Sequence, residues 1–153
     1  MRRFLAAGLP VIIEEGYTIQ EGGGGWAAHY LLLTGYYDPQ RALIVQDTDK
    51  GPDQLLSYET LDEGWQAFSR VYLYLYRPED QAMIVPLLGV DGDVDINRQR
   101  ALETARSEIE AEPQDAFAWV NLGTNLVYFE RYGEAALAFD AAQAIGLPWR
   151  FTR

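Results

Sequence analysis

The sequence predicts an α+β protein in which an antiparallel sheet of about four strands is followed by an α-helical hairpin. Three observations predict it. Apolar runs of strand length, separated by turn residues, crowd the first 85 residues, and the clearest alternates Val71, Leu73 and Leu75 against Tyr72, Tyr74 and Tyr76. From residue 96 the texture changes to Ala, Leu and Glu at helical spacing, with Pro113 and Gly146-Leu147-Pro148 as stops. Residues 86–95 between them read as an acidic linker, so the division is a β domain over 1–85 and helices over 96–149.

Taken in order, residues 4–7 read as the end of a helix stopped at Gly8, and residues 9–13 as a buried strand. A domain that opens on the tail of a helix is expected to start upstream of Met1. Met1-Arg2-Arg3 before an apolar run imitates a signal peptide, but Pro10 interrupts the run, Glu14-Glu15 closes it, and no small-residue cleavage site follows. The run is also too short to span a bilayer. Residues 29–35 and 42–47 read as two strands around Asp38-Pro39-Gln40, where proline sets its own φ for a turn. Leu61, Trp65 and Phe68 fall at i, i+4 and i+7 after Ser57, a candidate N-cap, and predict a helix lying on the sheet. Residues 71–76 supply the last strand, whose tyrosine face is covered either by a partner or by the chain's own helices. Residues 96–111, 116–129 and 132–145 predict the helices of the second region.

Composition narrows the function classes. In 153 residues, 48% hydrophobic and 13% aromatic content supports a packed core. The net charge of −11, from 23 acidic and 12 basic residues without a basic stripe, argues against a nucleic-acid partner. The absence of cysteine excludes disulfides, thiolate metal sites and cysteine catalysis from within this chain. A single histidine leaves zinc without a ligand set, and no cofactor is expected. Asp91-Gly92-Asp93-Val94-Asp95 begins like a calcium loop, yet Ile96 stands where that loop needs glycine and Leu102 where it needs a bidentate glutamate. Gly22-Gly23-Gly24-Gly25 precedes a strand rather than a helix, so it reads as a flexible loop over the site and not as a phosphate cradle.

The chemistry concentrates on His29 and Asp47. A hairpin centred on Asp38 would set the two directly opposite, with Cβ atoms about 5 Å apart, close enough for the imidazole to donate to the carboxylate. A slip of one residue would send them to opposite faces. The structural alternative is a buried histidine satisfied by a carboxylate or carbonyl. Thr34, Thr48 and Ser57 are the nearest hydroxyls in sequence, but none opens a long helix where a nucleophile and oxyanion donors would be preorganised.

Two resemblances follow. Trp119, Leu122 and Gly123, then Ala135, Phe139 and Ala142, resemble the tetratricopeptide repeat, although Leu126 replaces its usual tyrosine and the closing proline, Pro148, comes one residue late. Ala101, Ala105, Ile109 and Pro113 look like the second helix of a preceding half-repeat. Gly8-Leu9-Pro10-Val11-Ile12, the segment Gly25-Trp26-Ala27-Ala28-His29-Tyr30-Leu31-Leu32-Leu33-Thr34-Gly35-Tyr36, and Asp47 with Gly51-Pro52 resemble the later half of papain-like cysteine peptidases of the bacteriocin-processing type, over about residues 5–77. That resemblance implies His29 as general base and Asp47 as its orienting partner, with the cysteine and an oxyanion glutamine on residues this chain does not contain. Candidate binding residues are Trp26 and Tyr30 beside His29, and Trp119, Asn121 and Asn125 in the repeat. The expectation is a noncatalytic peptidase-like module that binds or assembles with a protein or peptide, possible partners including a second copy and the missing N-terminal half. The alternative is the His/Asp half of a peptidase active only with an upstream cysteine segment.

Overall fold

A computed structural model describes residues 1–19 and 25–147. Gly22, Gly23 and Gly24 of the glycine run, and Pro148 and Trp149, lie outside the described residues. The chain divides into two compact units: one comprises Met1–Ile19 and Ala27–Gly89, and the second takes in described residues 25–26 and 90–147.

The first unit holds most of an antiparallel sheet. Helix α1 (Arg2–Ala6) is followed by Gly8 at φ +76°, a conformation that suits glycine, and the chain then enters β1 (Val11–Ile19). Next come β2 (Gly25–Tyr37), a single 3₁₀ turn at Asp38–Gln40, β3 (Ala42–Asp47) and β4 (Gly51–Ser57). Helix α2 (Tyr58–Gln66) and β5 (Tyr72–Tyr74) follow, and α3 (Gln81–Leu88) ends the unit. Among the described residues the sheet has five strands in the order β4-β3-β2-β1-β5.

Several expectations are corrected. The strand count is five rather than four because β4 pairs with β3 from Asp47↔Gly51 to Ala42↔Ser57, although Gly51-Pro52-Asp53 carries turn chemistry. Pro52 is tolerated because β4 is an edge strand. β1 begins two residues after Leu9 and runs on past Glu14-Glu15 to Ile19, while β5 is shorter than residues 71–76. Ser57 caps α2 by accepting from the Thr60 N–H at 3.0 Å, but the helix ends before Phe68. Pro86, Leu87 and Leu88, expected in a linker, belong to α3.

The core forms because three strands each turn alternate apolar residues to one face. Val11 and Ile13 of β1, Leu31 and Leu33 of β2, and Leu43 and Val45 of β3 pack with Phe4, Leu61, Trp65 and Ile84 from the helices. Burying each such side chain contributes about 1.5–3 kcal/mol. Tyr72 and Tyr74 turn toward this core, with ring centroids 5.9 and 4.6 Å from Phe4, while Val71, Leu73 and Leu75 are exposed. The chain's own helices therefore cover these two tyrosines of β5.

The second unit is helical apart from residues 25–26. Asp93 caps α4 (Val94–Ala111) and Asp115 caps α5 (Ala116–Tyr128), each accepting two backbone N–H bonds, and α6 (Tyr132–Ile145) follows. Leu102, Leu126, Ala135 and Ala138 form its core, joined by Trp119, Leu122 and Phe129. A Cβ on Gly123 would come within 2.6 Å of the Phe139 ring, so a side chain there would hold α5 away from α6. No helix among the described residues is long and apolar enough to cross a membrane.

Candidate functional site

The buried rows of three adjacent strands all end in a titratable residue. In β1, Val11 and Ile13 lead to Glu15; in β2, Leu33 and Leu31 lead back to His29; in β3, Leu43 and Val45 lead to Asp47. Because the strands are antiparallel, these three residues gather at one end of the sheet. His29 Nε2 lies 3.5 Å from Asp47 Oδ1 and 4.0 Å from Glu15 Oε1.

Asp47 is brought to His29 by a register different from the one expected. The β2–β3 hairpin closes at Tyr37↔Ala42, so its connection is residues 38–41, with Arg41 in the left-handed region at φ 49°. Thr34 is then an extra residue between the pairs Gly35↔Ile44 and Leu33↔Val45, a β-bulge. Together they displace the register by two residues from a hairpin centred on Asp38, and Leu32 pairs with Gln46. An even displacement preserves the face. His29 therefore meets Asp47 diagonally across the ladder instead of directly opposite, a reach that long side chains cover.

The two carboxylates differ in environment. Asp47 is 6% exposed, and its Oδ1 accepts the backbone N–H groups of Asp49 at 2.7 Å and Lys50 at 3.2 Å. Burial pushes its carboxyl upward, but these two donors, with His29 and Lys50 nearby, outweigh burial and hold it below the usual aspartate value. Glu15 is equally buried, and burial pushes its carboxyl upward against the smaller pull of His29 and Lys50, with Asp47 adding to the rise. The Tyr17 ring stands edge-on to the imidazole with centroids 5.1 Å apart. Both ring nitrogens of His29 are buried and have no hydrogen-bond partner among the described residues. The arrangement gathers one imidazole and two carboxylates of different environment at the end of the sheet.

Glu15 lies beyond the strand expected over residues 9–13. The signal was present: extending the alternation of Val11 and Ile13 by one more step puts Glu15, and not Glu14, on the buried face. Tyr30 is on the other face, 60% exposed, and hydrogen-bonds Glu14, which raises its phenol pKa. Trp26 belongs to the second unit, where its ring lies 5.9 Å from that of Phe117. There Trp119 Nε1 donates to the Pro113 carbonyl, Asn125 Nδ2 donates to the Asn121 carbonyl at 2.8 Å, and Arg98 donates to Asn125 Oδ1. Both asparagines are buried. Of the binding residues proposed from sequence, Tyr30 is on the opposite face of β2 from His29, and Trp26, Trp119, Asn121 and Asn125 belong to the second unit.

Of the hydroxyls, Ser57 is committed to the α2 cap and Thr34 accepts from Gln46 on the exposed side of the bulge. Asp93 caps α4 and Asp91 pairs with Arg100, and among the described residues no group of His, Cys, Asp or Glu is arranged to hold a metal ion. No family model, curated protein or solved structure matches this chain.

Proposed function

We propose that the sheet unit is the base-carrying part of a papain-like cysteine peptidase site of the bacteriocin-processing type, and that this chain alone acts as a noncatalytic protein- or peptide-binding module. One observation carries the first part: both ring nitrogens of the half-buried His29 are buried without a hydrogen-bond partner among the described residues, beside two buried carboxylates. An unsatisfied buried polar group costs about 1–3 kcal/mol, a cost that a histidine kept for packing avoids by bonding a carbonyl. Nε2 faces the carboxylates, which leaves Nδ1 to take the proton of a thiol. Asp47, itself held by the Asp49 and Lys50 amides, orients the ring and stabilises the imidazolium that results. The chain contains no cysteine, so the thiolate and its oxyanion donors must come from a segment outside it, joined to it or supplied in trans.

The binding part rests on the helices. Gly123 against Phe139, with Ala135 and Ala142 buried, supports the small-large-small packing of a tetratricopeptide-like pair. With about one and a half repeats by sequence, such a unit presents a face for another polypeptide.

The test is to join the chain to the cysteine-bearing N-terminal half of a peptidase of this type, or to add that half separately, and to assay thiol-dependent peptide cleavage. Activity that falls about 10²–10⁴-fold on His29→Ala is the expected result. An extended chain that folds, carries a free thiol and cleaves nothing overturns the peptidase part.

A further inference from the structure

We infer that Glu15 is a second positioning carboxylate for His29, so that the imidazole is faced at Nε2 by two carboxylates, Asp47 and Glu15, instead of one. The inference rests on the reading of His29 as the base of the site, and it extends that site to a residue on a different strand.

The geometry argues for it in three ways. Glu15 Oε1 and Asp47 Oδ1 both approach the same ring nitrogen, at 4.0 and 3.5 Å. Glu15 also ends a buried row, 6% exposed, where an apolar residue would continue the pattern of Val11 and Ile13. Placing a carboxylate there is costly unless a cation faces it. Finally, the fold makes room for it. Gly64 sits within α2, where glycine is unfavourable by about 1 kcal/mol relative to alanine. A Cβ on Gly64 would come to 2.8 Å from the Gly16 carbonyl oxygen, 3.2 Å from Glu15 Cβ and 3.5 Å from Glu15 Oε2. The helix therefore approaches β1 closely at Glu15.

The charged groups around the cluster come from each neighbouring element. β1 adds Tyr17 edge-on to the ring, while Glu14 is turned to Tyr30. The turn after β3 brings Lys50, whose Nζ lies 3.9 Å from Asp47 Oδ2. On α2, Glu59 pairs with Arg41, Asp62 pairs with Arg70, and Glu63 is exposed. β5 contributes Tyr72 and Tyr74, which pack against Phe4. His29 is thus the basic side chain in contact with Glu15, and the Lys50 ammonium lies beside Asp47.

The chain has one histidine, so its ring resonance is unambiguous in a proton-carbon NMR spectrum. In a pH titration of the full chain, Glu15→Gln is expected to lower the His29 midpoint by about one pH unit, the scale of an opposite charge removed at this distance. Asp47→Asn is expected to lower it as well, and the double variant to lower it further than either. An unchanged midpoint in Glu15→Gln overturns the inference. A measurement on the unmodified chain guards against misfolding of the variants: the Glu15 side-chain carboxyl carbon is expected to show an inflection at the pH where His29 titrates, and a trace without one is equally decisive against the proposal. In an extended, active chain, the limb of the pH-rate profile that reports the imidazolium should move with the same variant. A displaced His29 titration in a chain that never gains peptidase activity would sink the peptidase reading and leave the role of Glu15 standing. Activity with an unmoved titration would do the reverse.

Discussion

At the residue scale, Asp47 and Glu15 are two buried carboxylates with opposite consequences for stability. Asp47 anchors the turn after β3 through two backbone N–H groups, so Asp47→Ala should cost about 1–3 kcal/mol in urea unfolding, and Asp47→Asn less, since the amide oxygen still accepts. The native Asp47 carboxyl lies below its ordinary 3.8, so its contribution is complete above that pH and is lost as pH falls through the native value. Glu15 runs the other way. Its native carboxyl lies above the ordinary 4.5, so the folded state holds the proton more tightly than the unfolded chain. Stability attributable to Glu15 therefore falls as pH rises from 4.5 through the native value, and the penalty is complete above it. Glu15→Gln should be more stable than the parent at pH 7, relative to the difference between them below pH 4.5, in urea unfolding compared across that range. A stability gap independent of pH would contradict the assigned burial. His29 was legible as a candidate because it is the chain's one histidine, and Asp47 because it ends an apolar strand; Glu15 was hidden because paired glutamates ordinarily mark the end of an apolar run.

At the element scale, a bulge and two glycines determine what packs where. The bulge at Thr34 lets Leu31 and Leu33 on one side of it, and Tyr36 on the other, all face the core. Deleting Thr34 would leave a regular strand with those residues still inward. The expected outcome is a folded protein with His29 resonances close to the parent, whereas deleting Leu32 would force either Leu31 or Leu33 out of the core and displace His29 from Asp47. Gly64→Ala and Gly123→Ala each gain helix propensity, but each introduces a Cβ within 3.0 Å of a neighbour. Both should destabilise, by about 1–3 kcal/mol in thermal or urea unfolding, with Gly64→Ala also perturbing the His29 resonance and Gly123→Ala leaving it unchanged. Helices α4, α5 and α6 were readable within a few residues from their Ala, Leu and Glu content and from the stops at Pro113 and Gly146. β4 was not, because Gly-Pro-Asp is turn chemistry that an edge strand tolerates, and α3 was not, because Pro86 sits inside it.

At the scale of the whole molecule, two compact units each have their own hydrophobic cluster, and the chain carries a net charge of −11. Like charge opposes compaction and is screened within about 10 Å at 0.1 M salt. The urea midpoint should rise as sodium chloride is raised from low ionic strength to that concentration; a midpoint that falls would mean that the surface ion pairs outweigh the net repulsion. The sequence by itself determined the α+β class, the three helices after residue 93, the absence of a thiol and the candidacy of His29, because composition, periodicity and stop residues are local. Only the tertiary structure decided that His29 meets Asp47 along a diagonal and that Glu15 joins them. Which residues meet across strands depends on the length of a hairpin connection, on one bulged residue and on how closely a helix approaches, and those are settled by the packing of the whole sheet.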